Sequence, residues 1–259
     1  LRAVAPNGGA IVICHECDVN KDKQYPFLSV YDNTGNLINN IPLNYSKETS
    51  IKQIHITQEE SIIVVFQDAS FHTYNLRGGG PLSVFEFNPK RDPEDTSAPP
   101  PDESKPIISL KFVTFWSSGF FMVDVTGQVY ICDDFASLKP RPWEKLEKAG
   151  IMGCVACPPD GENNFGAMLY AWDTDNIYLI QKGKQQSIPW ENPIEEVIFS
   201  PNRKFACVHC GSSYYLTNGQ ITKVLLSLFF DDVTTYQSIC WCGNDTVLLV
   251  EKARISMFG

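Results

Sequence analysis

Three cysteine pairs share a C-x-x-C spacing: Cys14/Cys17, Cys154/Cys157 and Cys207/Cys210. Two such pairs would supply the four thiolates of a tetrahedral zinc site. That works only where the chain turns, because residues i and i+3 of an extended strand point to opposite faces. Cys14 ends one apolar run, and Cys207 sits inside another, Phe205–Val208. Cys207-Val208-His209-Cys210-Gly211 is the most knuckle-like pair, since its glycine allows a tight turn. Ordinary buried thiols are the expected state, with a zinc-stabilised domain as the alternative. A thioredoxin-type redox motif needs a βαβ context, which this pattern lacks.

The four histidines, His15, His55, His72 and His209, have no helical i, i+4 partner, so each reads as structural. Asp173-Thr174-Asp175-Asn176 and Asp231-Asp232 have the residue types of a cation site or a hydrolase. The first sits where a hairpin turn is expected, and Asp and Asn are favoured there for backbone reasons alone. The later Gly and Glu of an EF-hand loop are missing. Gly78-Gly79-Gly80 lacks the Lys-Ser/Thr of a phosphate loop, and no G-x-S-x-G elbow occurs. No catalytic, cofactor-binding or metal-binding residue is assigned, and no cofactor is expected.

The elements around these residues repeat. Ile51 to Leu76 reads as three short apolar runs closed by Gln58-Glu59-Glu60 and Gln67-Asp68-Ala69, a meander of antiparallel strands. Its hairpin, VVFQDASFHTY from Val64, returns as MVDVTGQVYIC from Met122, YAWDTDNIYLI from Tyr170, CVHCGSSYYLT from Cys207 and LLVEKARISMF from Leu248. An apolar residue recurs seven positions after each start: Phe71, Val129, Ile177, Tyr214 and Ile255. The starts lie 37 to 58 residues apart, the period of propeller blades.

A further strand precedes each hairpin: Ile51–Ile56, Ile107–Val113, Ile151–Cys157, Ile194–Phe199 and Gln237–Trp241. Leu82–Phe87, Gln186–Trp190 and Ile221–Leu228 read as fourth strands. Leu1–Ala5, Ala10–Cys14, Phe27–Tyr31 and Leu37–Leu43 complete a first blade. The second strands AIVIC, SIIVVF, GFFMV, AMLYAW, KFACV and TVLLV are apolar nearly throughout. A half-solvated sheet alternates apolar with polar, so these need cover on both faces, which stacked blades supply. The expected fold is therefore all-β, a β-propeller of four-stranded antiparallel blades. About six blades are present in one domain over residues 1–259, the last lacking a fourth strand; a two-sheet sandwich ranks second.

Two stretches depart from the repeat. Asn88–Pro106, with six prolines and many charges, is expected to be a flexible loop, with docking or phosphorylation as its functional reading. Lys139–Gly150 is read as holding a helix of about two turns near Trp143–Lys148. A propeller hydrolase would need Asp, Glu or His at the starts of several first strands. Those starts are Ile51, Ile107, Ile151 and Ile194, with only Glu195 and Glu196 close by, so the chain reads as non-enzymatic.

Composition narrows the class further. Net charge is -9 over 259 residues, which argues against a nucleic-acid or anionic-membrane surface. No apolar run approaches the roughly 18 residues of a membrane span. Nine cysteines, mostly within apolar runs, in a chain this size fit reduced thiols in the cytosol better than a disulfide scaffold. The sequons at Asn44 and Asn244 would be silent there. The chain begins at Leu1, as expected for a fragment.

With these elements placed, LRAVAPNGGAIVI, FLSVYDNTGNLINNIPL and IKQIHITQEESIIVVFQDASFHTYNLRG resemble the N-terminal region of the Vps sixteen family, class C vacuolar protein sorting subunits. SSGFFMVDVTGQVYI, IEEVIFSPNRKFACVHCGSSYYLTNG and ICWCGNDTVLLVEKARISMFG match later parts of it in order. The resemblance implies a seven-bladed propeller at the start of a longer subunit of the HOPS and CORVET tethering complexes. It implies a scaffold role in endosome-to-lysosome or vacuole trafficking and fusion, with other class C subunits as partners. A Sec1/Munc18-type protein would bind a helical region absent from this chain. Localisation would be cytoplasmic, peripheral on late endosome, lysosome or vacuole membranes through the complex. A propeller scaffold of another intracellular complex is the alternative.

Overall fold

The computed structural model describes residues 1–5, 8–15, 26–43, 49–86, 108–135, 137–148, 150–157, 167–229, 236–251 and 255–258. Two compact units divide the chain, Leu1–Glu147 and Lys148–Gly259. Asn88–Pro106, Ile107, Cys17, Asn44 and Asp231-Asp232 fall outside the described residues.

The first unit holds three antiparallel sheets. One consists of β1 (Arg2–Val4), β2 (Ile11–His15), β3 (Phe27–Tyr31) and β4 (Leu37–Pro42). The second consists of β5 (Ile51–Ile56), β6 (Ser61–Phe66), β7 (Phe71–Asn75) and β8 (Pro81–Phe85). The third consists of β9 (Leu110–Phe115), β10 (Phe120–Asp124), β11 (Gln128–Cys132) and β12 (Arg141–Lys145). Strand order follows sequence order in each, and the first strands lie side by side, β1 against β5 and β5 against β9.

Strand β6 shows why its sequence is apolar throughout. Successive side chains leave a strand on opposite faces. Ile62, Val64 and Phe66 pack with Val12, Leu28, Val30 and Ile41 of the first sheet. Ile63 and Val65 pack with Leu110, Phe120 and Met122 of the third. One run of six residues thus serves two cores.

The second unit repeats the arrangement. Its sheets are β13 (Gly153–Cys157), β14 (Met168–Trp172), β15 (Asn176–Gln181) and β16 (Lys184–Pro189), then β17 (Glu196–Phe199), β18 (Phe205–Cys210), β19 (Ser213–Asn218) and β20 (Val224–Phe229). A three-stranded sheet of β21 (Tyr236–Cys242), β22 (Thr246–Glu251) and β23 (Ile255–Phe258) follows. Here β18 plays the part of β6. Ala206, Val208 and Cys210 pack with Tyr170, Trp172 and Ile177, while Cys207 packs with Ile239, Val247 and Leu249.

Two expectations are corrected. Trp143–Lys148 is not a helix: Arg141–Lys145 is the fourth strand of the third sheet, with Gln128 opposite Lys145 and Ile131 opposite Arg141. A helix of two turns is marginal alone, whereas the strand satisfies the edge of β11 and sets Trp143 against Phe121, tilted at 42° with ring centroids 4.8 Å apart. The last strand of the fifth sheet starts at Val224, not Ile221. The Asn218 side chain accepts the amides of Thr222 and Lys223, at 2.9 and 3.0 Å, and so prolongs the turn.

Candidate functional site

The acidic residues that could have served chemistry are occupied by turns. Asp173 Oδ1 accepts the amides of Asp175 and Asn176 at 2.9 and 2.8 Å, and its other oxygen accepts the Tyr178 hydroxyl. Burial alone would raise its carboxyl; the Tyr178 hydroxyl and the two amides outweigh that and hold it below the usual range. Asp124 repeats the device, with Oδ1 accepting the amides of Thr126 and Gln128 and Oδ2 the Tyr130 hydroxyl. Burial, then the Asp124 carboxylate, pushes Tyr130 up to about 12. Asp68 takes the amide and hydroxyl of Ser70. Asp32 takes the hydroxyl and amide of Thr34 and the amide of Asn36; led by the Thr34 hydroxyl, these hold it at about 2. A recurring Asp-x-Ser/Thr in Asp32–Thr34, Asp68–Ser70 and Asp124–Thr126 is the sequence signal for this turn, and it is not among the motifs singled out from the sequence.

The cysteine pairs diverge. Cys207 and Cys210, three apart on β18, enter different cores. Cys154 and Cys157 lie three apart on β13, which pairs with β14 without interruption. Burial pushes Cys132, Cys154 and Cys207 up to about 12 and Cys210 to about 11. Among the described residues, no three His, Cys, Asp or Glu side chains group to hold a metal. Cys240 and Cys242, by contrast, are exposed. A maleimide is therefore expected to modify Cys240 and Cys242 in the native protein long before Cys132 and Cys207. Peptide mass spectrometry reads this, and equal rates at all four would refute the burial.

All four histidines are packed on rings. His15 stacks on Phe27 at 4.6 Å and His55 on Phe115 at 4.3 Å. His72 Nδ1 lies 3.1 Å from the Tyr74 hydroxyl. His209 stacks on Tyr214 at 4.5 Å and donates from Nε2 to the Gly211 carbonyl at 2.7 Å. Its Nδ1 lies 3.5 Å from Glu195 Oε2, so the structure joins one of the two carboxylates singled out in the sequence to a buried imidazole. Glu196 pairs across the ladder with His209.

What the fold presents outward is apolar strand. Leu82 and Val84 of β8, Val224, Leu225, Leu226 and Phe229 of β20, and Ile255 and Met257 of β23 are exposed. Exposed apolar strand of this kind is a surface that can pair with or pack against another chain.

A family model described as "Vps16, N-terminal region" matches residues 1–259. A probable vacuolar protein sorting-associated protein 16 homolog of Schizosaccharomyces pombe is 22% identical over 277 residues, covering 99% of this chain and 30% of that protein. Protein VACUOLELESS1 of Arabidopsis thaliana is 20% identical over 229 residues, covering 78% of this chain and 25% of that protein. The chain thus spans less than a third of the length of either relative. Among solved structures, the C-terminal WD40 domain of Sif2 superposes with a TM-score of 0.59 at 12% identity, covering 96% of this chain and 65% of that one. A chain of the mitotic checkpoint complex superposes with a TM-score of 0.64 at 9% identity, covering 99% and 74%. At such identity these likenesses show the fold alone, and the fold is a β-propeller.

Proposed function

The chain belongs to the family of the Vps16 N-terminal region, and from that premise we propose that it is a non-catalytic scaffold of a vacuolar protein sorting subunit. The observation that carries this is the family match over the whole of residues 1–259. The chemistry of the residues is consistent with it. Asp32, Asp68, Asp124 and Asp173 hold turns, the buried cysteines fill cores, and apolar outer strands are left exposed. Rigid blades fix the positions of loops and edges, which suits a part that other subunits must find in one geometry.

The complexes proposed are HOPS and CORVET, and the partners other class C subunits, in tethering before fusion at late endosomal, lysosomal or vacuolar membranes. No helix among the described residues is long and apolar enough to cross a membrane. Membrane attachment is assigned to the assembled complex. The test is purification of the tagged full-length protein from its own cells, followed by mass spectrometry and by vacuole imaging after deletion of residues 1–259. The reading expects class C subunits in stoichiometric yield, and recovery or vacuole defects that track the deletion. A full-length protein that brings down none of them would overturn it.

A further inference from the structure

Among the described residues five sheets have four strands, and each ends on an outer strand with no strand paired beyond it: β4, β8, β12, β16 and β20. Such edges are templates for unwanted pairing, and proteins blunt them with proline or charge. Four of the five are blunted. Strand β4 ends on Pro42, β8 begins on Pro81, β12 contains Pro142 with Arg141, Glu144 and Lys145, and β16 runs from Lys184 to Pro189. The fifth, β20, reads Val-Leu-Leu-Ser-Leu-Phe, with neither proline nor charge.

Strand β20 is also largely in water: Leu228 packs against the core of Tyr214, Ile239 and Leu249, while Val224, Leu225, Leu226 and Phe229 stay exposed. Leu226 stands opposite Leu216 and is 42% exposed. Phe229 stands opposite Ser213, meets Tyr215 edge-on at 6.3 Å, and is still 70% exposed. A strand with this composition and exposure is an aggregation hazard unless something pairs with it.

The turn entering β20 is basic. Lys223 donates its amide to Asn218 Oδ1 at 3.0 Å, and the Gly219 amide bonds the Lys204 carbonyl at 2.8 Å. The loop of Arg203 is pressed so close to Gly219 that a Cβ there would lie 1.8 Å from the Arg203 carbonyl oxygen. Arg203, Lys204 and Lys223 therefore gather at one end of the strand.

We infer that β20 is a docking edge for an extended segment of a partner protein, apolar along its length and acidic where it passes the Arg203–Lys204–Lys223 turn. Main-chain hydrogen bonds along the edge supply affinity, and the flanking charges set direction. Every pairing in this sheet is antiparallel, and antiparallel ladders are the more stable per residue. In that orientation the acidic residues follow the apolar run on its C-terminal side. The inference rests on the scaffold reading only for its choice of a protein partner.

The test uses two synthetic peptides, each of alternating threonine and valine, one closed at its C-terminus by three aspartates and the other by three lysines. Binding to the whole chain is followed by fluorescence anisotropy, with sedimentation velocity run alongside. The aspartate peptide is expected to bind about tenfold more tightly than the lysine peptide. Leu226→Lys is expected to abolish binding, and the double change Lys204→Glu with Lys223→Glu to reverse the preference. Leu226, Lys204 and Lys223 are all exposed, and circular dichroism checks that the variants are folded. The inference is overturned if neither peptide binds, if Leu226→Lys binds as well as the original, or if the charge changes leave the preference unaltered. Self-association that Leu226→Lys abolishes would overturn it too, since a second copy would then be the occupant. Failure of the peptides alongside recovery of class C subunits would remove the edge and leave the scaffold role standing.

Discussion

Ile62→Ala and Ile63→Ala, neighbours on one strand, are each expected to destabilise the protein by about 3 kcal/mol, in the middle of the range for truncating buried aliphatic side chains. The two side chains leave β6 on opposite faces, and both are fully buried, at 0% and 1% exposure. Ile62 loses contact with Val12, Leu28, Val30 and Ile41. Ile63 loses contact with Leu110, Phe120 and Met122. A sheet wet on one face gives a different pattern. One of the two changes would then fall within the roughly 0.5 kcal/mol typical of surface substitutions. Urea denaturation separates the two cases, with a melting shift of about 6–12 °C for each variant as an independent readout. Near-neutrality at either position would sink the two-core account of β6.

Acid should act through His55. Its ring is stacked on Phe115 at an interplanar angle of 4° and tilted against Phe135 at 5.6 Å. Burial pushes its pKa down from 6.5 to about 4. The unfolded chain therefore takes up a proton near pH 6.5 that the folded protein refuses until about pH 4. Stability is full above that window, falls as pH drops through it, and levels off below. The loss amounts to up to about 3 kcal/mol, since one pKa unit is worth about 1.4. Burial lowers His72 as well, opposed by the Asp68 charge, so it steepens the slope in the same direction.

His55→Phe keeps a flat ring against Phe115 and removes the titration. Denaturation curves at pH 7, 6, 5 and 4.5 should then show the variant losing less stability than the original protein by about that amount. Parallel pH profiles for the two proteins would show that another group drives acid sensitivity.

Much of the blade architecture was legible in the sequence because its signals are local. The apolar run Ser61–Phe66 announced a strand covered on both faces, and β6 is so covered. The turn at Asp173 was readable as backbone chemistry, and its carboxylate is indeed spent on the amides of Asp175 and Asn176. The same carboxylate chemistry at Asp32, Asp68 and Asp124 is carried by the local Asp-x-Ser/Thr pattern.

Arg141–Lys145 was not legible as a strand. Its helix-compatible residues are overruled by the open edge of β11, a partner the local pattern does not name. Nor could the sequence say that Glu195 meets His209, fourteen residues on, since that contact depends on the pairing of β17 with β18.

By itself, then, the sequence determined strand periodicity, turn positions and the demand for two-sided burial, because alternation and Asp or Gly turn chemistry act over a few residues. Only the tertiary structure decided which strands end up on edges and which of their side chains stay in water. Val-Leu-Leu-Ser-Leu-Phe at β20 is as apolar as Ser-Ile-Ile-Val-Val-Phe at β6. One is exposed and the other buried because strand order, a property of the whole sheet, puts β6 between partners and β20 at the rim.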